Sequence, residues 1–248
     1  MDLGLQGRVA LVTAASSGIG FGIARALAAE GASVAVSSRS RERIEEAAGR
    51  IGARPYVFDS MDLEAAPGLI DAVEADLGPL AVLVTNTGGP PGGEPLDFTR
   101  DQWEDAYREL VLSPVALIEH AVPGMRERGF GRILSVSSSA AREPIPALLL
   151  STAHRSGLLA TFKLLSGRLA SHGITLNTLL PGRFGTDRLV EVHGSLDAAE
   201  EAARGDVPIG RLGTIEEIGA AAAFLCSEPA SYITGVALPV DGGLLRAT

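Results

Sequence analysis

Three groups of residues in this chain have the types and spacing that chemistry requires. Thr13-Ala-Ala-Ser-Ser-Gly-Ile-Gly20 follows a short apolar run and precedes a segment of helical periodicity. Gly18 and Gly20 let a backbone come close to phosphate, and the helix that follows offers free amides and the positive end of its dipole. A tight turn that only packs helix on strand would also use glycine, but the strand before and the helix after favour phosphate binding. Val136-Ser-Ser-Ser139 sets hydroxyls at the end of another apolar run, and Ser151 and Arg155 lie four apart, on one face of a helix. Such groups can orient a polar oxygen. They are poor proton carriers, because a serine hydroxyl is far less acidic than a phenol at about pKa 10 and a guanidinium does not deprotonate. The histidines, at 120, 154, 172 and 193, and the single cysteine, Cys226, show no metal-ligand spacing, so no metal and no internal disulfide are expected.

Elements must exist to hold these groups. The 248 residues, 46% hydrophobic and 21% charged, suit one large domain with a packed core. A net charge of -9 without basic clusters argues against nucleic acid. The amino terminus has no basic segment followed by an apolar run, and no stretch is long enough to cross a bilayer, so the reading is an unprocessed cytoplasmic chain. Apolar runs at 8–13, 33–38, 55–58, 80–85, 131–136, 174–180 and 233–240 alternate with helical segments: an apolar stripe of Ile19, Ile23, Ala26 and Leu27 with Gly31 where a C-cap would sit, then about 40–49, 62–77, 99–128, 148–171 and 214–227. That alternation predicts an α/β domain, a doubly wound parallel sheet of about seven strands flanked by helices. Residues 183–207 lack a strand and read as a lid over a sheet edge, with Phe184, Leu189 and Val190 suggesting a partly apolar substrate. Gly88-Gly-Pro-Pro-Gly-Gly-Glu-Pro95 is a rigid loop.

Thr13-x-x-x-x-Gly18-Ile-Gly20, Asn86-Thr-Gly88, Asn177-x-x-x-Pro181-Gly182, Pro208-Ile-Gly-Arg-Leu-Gly213 and Tyr232-Ile-Thr-Gly235 leading to Val240-Asp-Gly-Gly243 together resemble the short-chain dehydrogenase/reductase family, over about residues 5–243. The nearest likeness is to its 3-oxoacyl-acyl-carrier-protein reductase branch. The resemblance implies a Rossmann-type fold and a dinucleotide cofactor. Gly18, Ile19 and Gly20, with Thr13, Ser16 and Ser17, would hold the pyrophosphate. Asp59, with Ser60, would receive the adenine amino group, although Asp59 also fits an ordinary strand-end cap. Asn86 and Gly88 would line the adenosine ribose, and Pro181, Gly182 and Thr186 the nicotinamide side. Where a carboxylate would select NAD, Ser38 leaves room and Arg39 can bond a 2′-phosphate, so NADP(H) is favoured over NAD(H). Ala14 replaces the motif's first glycine at the expense of one methyl.

The family's catalytic set is Asn, Ser, Tyr and Lys, and here only the serine is kept, as Ser138. The Tyr-x-x-x-Lys reads Ser151-Thr-Ala-His-Arg155, and the Asn aligns with Leu110. The chain resembles a subgroup with Ser-x-Ala-x-Arg at this place and a Gly-Gly-Pro-Pro loop. The tyrosines, at 56, 107 and 232, stand elsewhere, and His154 reads as packed inward. Ser138, Ser151 and Arg155 are therefore the catalytic candidates, with Arg155 also on the nicotinamide ribose. Arg142 and Glu143 read as a surface ion pair, and Cys226 as core. The leading reading is an NADP(H)-dependent oxidoreductase acting on a small-molecule or acyl-carrier-linked carbonyl or secondary alcohol. The alternatives are a catalytically silent dinucleotide-binding regulator or scaffold, and a non-redox enzyme with a structural dinucleotide. The resemblance also implies a homotetramer or homodimer through the long helices.

Overall fold

The computed structural model describes residues 1–187, 189–190 and 194–247. Apolar alternation sets the sheet. Val9 and Leu11 face one side of the first strand while Ala10 and Val12 face the other, and each pair joins a separate core cluster, as the two-residue period of a strand requires. The strands are β1 (Val9–Val12), β2 (Ser33–Ser38), β3 (Arg54–Val57), β4 (Leu80–Thr85), β5 (Gly131–Val136), β6 (Ile174–Pro181) and β7 (Ala237–Val240). All pairings are parallel, in the order β3-β2-β1-β4-β5-β6-β7. This is a single-domain, Rossmann-like doubly wound sheet, and its order reverses between β1 and β4, where such sheets open a crevice.

The helices are α1 (Gly18–Ala29), α2 (Arg41–Ile51), α3 (Ala65–Leu77), α4 (Arg100–Tyr107), α5 (Ser113–Arg128), α6 (Leu149–Leu169), α7 (Leu196–Asp206) and α8 (Ile215–Leu225). Ile23, Ala24 and Leu27 of α1 and Ile218, Ala222 and Ala223 of α8 cover one face of the sheet. Leu69, Ile70 and Val73 of α3, with Leu117, Ala121 and Met125 of α5 and Leu158 and Phe162 of α6, cover the other. Gly22 and Gly219 let α1 and α8 touch: a Cβ on Gly22 would stand 2.5 Å from the Ile215 carbonyl.

The helix expected over 99–128 is not continuous. A π-helical turn, Arg108–Leu112, joins α4 to α5, and the Ser113 amide reaches back to the Arg108 carbonyl. Pro114 is the physical cause, since it has no N–H for the Leu110 carbonyl and its ring crowds the preceding turn. Part of the lid expected at 183–207, Arg188 and Glu191–His193, lies outside the described residues, as does the metal reading for His193. Phe184, expected on the lid's substrate side, is instead core: it is 4% exposed and fills the space a Gly213 side chain would need. A β-bridge joins Phe184 to Gly213.

Candidate active site at the carboxyl ends of the strands

The turn between β1 and α1 is held by backbone geometry and cross-strand bonds. The Thr13 hydroxyl donates to the Asn86 carbonyl (2.7 Å) and accepts the Asn86 amide (3.0 Å), while Asn86 Nδ2 donates to the Ala14 carbonyl (3.0 Å). Thr13 and Asn86 thus stitch the end of β1 to the end of β4 and fix the turn's shape. Gly18 has φ +58° and faces Thr186, whose methyl would be 3.4 Å from an added Cβ. Gly20 tolerates no side chain, because a Cβ would stand 2.5 Å from the Ala14 carbonyl oxygen and 2.7 Å from Asn86 Nδ2. Ser17 is the N-cap of α1 and its side chain makes no cap bond, and no acidic residue lies in the first turn. Ser16 and Ile19 complete the turn. The amino end of α1 therefore presents amides and the positive end of its dipole, with no acidic residue in its first turn. Ala14 departs from the one-methyl expectation: its φ is +47°, the only left-handed non-glycine among the described residues, so the substitution carries backbone strain.

At the end of β2, the Ser38 hydroxyl donates to the Ser40 carbonyl and Ser40 caps α2 through the Arg43 amide. Arg39 between them is exposed and forms no ion pair among the described residues. Asp59 accepts the Met61 amide at 2.9 Å, closing a turn after β3; it does not cap α3, whose N-cap is Glu64. The Ser60 hydroxyl points to Glu109 Oε1 at 3.5 Å, and that same oxygen sits 2.7 Å from where a Gly88 Cβ would be. Glu109 thus borders the crevice beside Asp59, Ser60 and Gly88, a neighbour the sequence reading missed; its place next to Leu110 was the one available signal. Across the crevice, Gly182 packs against Asp241, where a Cβ would meet the Asp241 Cα at 2.7 Å, and the Gly182 amide bonds the Val240 carbonyl at 3.0 Å. Pro181 ends β6 and is buried.

Beyond β5 the chain alternates: Ser137 and Ser139 are 7% and 5% exposed, while Ser138 between them is half-buried. Ser138 Oγ accepts the Ala140 amide at 3.1 Å. Ser151 and Arg155, each 8% exposed, sit one turn apart on α6, and Ser151 Oγ accepts Arg155 Nε–H at 3.1 Å. The same guanidinium donates to the Val136 carbonyl (2.9 Å) and the Gly88 carbonyl (3.0 Å). Arg155 therefore ties the ends of β4 and β5 to α6, drawing Ser138 and Ser151 onto one seam, which Ser156 extends by donating to the Ala141 carbonyl. Neither Ser138 nor Ser151 donates its own O–H to a protein acceptor among the described residues. Leu110 is 1% exposed and lies in the π turn.

Tyr56 is on β3 with its pKa pushed up to about 12, by burial first and then by its bond to Asp76. Tyr107 ends α4 against the His154 ring, and Tyr232 is fully exposed. His154 packs edge-on to Trp103 at 5.5 Å, and burial lowers its pKa while a backbone hydrogen bond at Trp103 opposes the shift. Cys226 is fully buried and burial pushes its thiol up to about 12, which makes it inert core. The expected Arg142–Glu143 ion pair does not form: Arg142 donates to the Ala237 carbonyl, and Glu143 accepts the backbone amides of Arg246 and Ala247. Backbone donors and acceptors of the carboxyl-terminal stretch lie within reach and hold both side chains. Among the described residues no cluster could ligate a metal, and no helix is long and apolar enough to cross a membrane.

A family model described as enoyl-(acyl carrier protein) reductase matches residues 13–245. The chain is 32% identical to the 3-oxoacyl-[acyl-carrier-protein] reductase FabG of Haemophilus influenzae, covering 97% of this chain and 99% of that protein. It is 35% identical to human dehydrogenase/reductase SDR family member 4, covering 96% and 88%. The crystal structure of L-sorbose reductase from Gluconobacter frateurii, complexed with NADPH and L-sorbose, superposes with a TM-score of 0.94 at 30% identity and full coverage of both chains. With the sheet order, the glycine turn and the Pro181-Gly182 contact in place, these matches make the chain a member of the short-chain dehydrogenase/reductase family.

Proposed function

We propose that the protein is an NADP(H)-dependent oxidoreductase that interconverts a carbonyl and a secondary alcohol, with 3-oxoacyl thioesters as the first substrate class to test. One observation carries the reading. Ser138 and Ser151 each have the oxygen occupied by an N–H donor, from Ala140 and Arg155, and neither hydroxyl proton is given to an acceptor among the described residues. Turned to one substrate oxygen, the two would stabilise the negative charge that develops there during reduction. The Arg155 cation polarises Ser151 without giving up a proton, so the proton reaches the oxygen from water.

The crevice fits the cofactor. Gly20 lets the Ala14 carbonyl and the Asn86 side-chain amide close onto the turn, and the first turn of α1 carries no carboxylate to compete with a phosphate. When bound, the dinucleotide supplies the hydride. Gly18, Ile19 and Gly20, with Ser16 and Ser17, hold its pyrophosphate; Thr13 and Asn86 keep the turn in shape. Asp59, Ser60 and Gly88 border the adenosine, Thr186 and Pro181-Gly182 the nicotinamide, and Ser38 and Arg39 the 2′-phosphate. Arg155, its fork held by Gly88, Val136 and Ser151, borders the nicotinamide ribose. The NADPH complex of the sorbose reductase supports the cofactor preference.

The test is a parallel fluorescence titration with NADPH and NADH, followed by nicotinamide absorbance with a panel of 3-oxoacyl thioesters and ketones. Expected are micromolar NADPH binding about tenfold tighter than NADH, and turnover lost by about 10²- to 10³-fold in Ser138→Ala and in Ser151→Ala. Tight binding without turnover on any carbonyl, unaltered by either substitution, would make the protein a silent nucleotide binder.

A further inference from the structure

We propose that the carboxyl-terminal residues Asp241–Ala247 form a clasp that holds the wall of the substrate cleft, with Glu143 as the positioning residue through which it acts. The inference rests on the reductase reading above. The wall is the segment between Ser138 and Ser151. It has little regular structure of its own, only two short 3-10 turns, Ser139–Ala141 and Pro146–Leu148. Its position is set from outside. Ser156 holds the Ala141 carbonyl, Gly93 donates to the Ala147 carbonyl, Arg142 reaches the Ala237 carbonyl of β7, and Glu143 takes the Arg246 amide at 2.6 Å and that of Ala247.

The same terminal stretch touches the other two walls. Gly182, at the end of β6, packs on Asp241, and the Ile209 amide, just past α7, bonds the Gly242 carbonyl at 3.1 Å. Asp241 shapes the stretch internally by accepting the amides of Gly243 and Leu245. Seven residues thus join the cofactor side, the base of the lid and the substrate wall, and the only carboxylate contact among these joints is that of Glu143. An ionised acceptor bonding two amides is stronger than a neutral one, and it is the joint a single substitution can open.

The experiment is backbone hydrogen exchange on the wild type, Glu143→Ala, Glu143→Gln and a chain ending at Leu245, with NADPH titration alongside. Expected is about tenfold faster exchange across 139–150 in Glu143→Ala and in the shortened chain, with no further increase when the two are combined, and partial rescue by glutamine. NADPH affinity stays within about twofold, because the cofactor turn is held by other bonds. With the N-acetylcysteamine thioester of acetoacetate as substrate, KM rises about fivefold or more and kcat changes less than about twofold. Unchanged exchange over 139–150 overturns the clasp, and altered exchange with unaltered KM overturns its role in substrate positioning. If the wild type does not turn over any carbonyl, the reductase reading falls while the exchange result still decides whether the clasp exists.

Discussion

Ala14 shows what a single methyl does when the backbone is already committed. With φ at +47° it occupies a conformation that disfavours a side chain by about 1–2 kcal/mol, yet its carbonyl is the anchor for Asn86 Nδ2. Replacing it by glycine relieves that strain, offset in part by the greater freedom of glycine in the unfolded chain, so Ala14→Gly is expected to raise the melting temperature by about 1–3 °C. Calorimetry reads this directly, and a lower melting temperature would contradict it. Gly20→Ala has the opposite character, since its Cβ must collide with the Ala14 carbonyl; NADPH affinity is expected to fall by about tenfold or more, seen by fluorescence titration. Arg39→Ala is expected to weaken NADPH by about tenfold, leaving NADH within about twofold, because a charge-assisted bond to the 2′-phosphate is all that it removes. Arg155→Lys is not conservative: an ammonium cannot hold Ser151, Val136 and Gly88 with the geometry of a planar fork, and kcat is expected to drop by about tenfold or more. The residue types here were legible from the sequence, while their partners were not. The greater exposure of Ser138 between buried Ser137 and Ser139 continues the two-residue alternation of β5, whereas Glu143 meeting residues 103 and 104 positions away along the chain leaves no trace in local pattern.

Helices and strands were the most readable level, because period-two and period-3.6 apolar patterns act locally. β2, β4 and β5 fall on the runs read from the sequence, and the long helices deviate by a residue or two at their ends. The π turn was missed, although Pro114 stood in plain view; a proline within one turn of a helix start is also compatible with a fresh start, and only the backbone shows which occurs. The amino end of α8 carries a capping box in which Thr214 and Glu217 exchange bonds, and Arg211 grips the same carboxylate, holding the Glu217 pKa at about 2 against an ordinary 4.5. The depressed value means this stabilisation is complete above pH 4.5 and is lost as pH falls through about 2. Glu217→Gln keeps a capping box but not the ion pair, so its stability is expected to be flatter than wild type over that window in acid unfolding followed by circular dichroism. At the α4–α6 contact the sign is the same for a different reason. Burial disfavours charged His154, so folding loses stability as pH drops below 6.5, and His154→Phe is expected to reduce that loss.

For the molecule as a whole, the sheet and two covered faces account for the domain, but α6 keeps Leu164 75% exposed and α4 keeps Tyr107 46% exposed on its outer side. Self-association through these helices is expected to give a tetramer, and sedimentation showing only monomer at micromolar concentration would exclude it. Overall topology was readable because alternation of strand and helix admits few right-handed windings. Contacts made across the molecule were not, since they depend on which distant loops the completed sheet brings together. The bond between Thr13 and Asn86 spans 73 residues, and it exists only where β1 has found β4 at the point of reversed strand order. Local helices form in microseconds, whereas a parallel pairing across such a span must first close a long loop of chain. Refolding is therefore expected to recover helical ellipticity ahead of nucleotide affinity, so that during biosynthesis the newly made chain passes through a window in which it is already compact but blind to its cofactor.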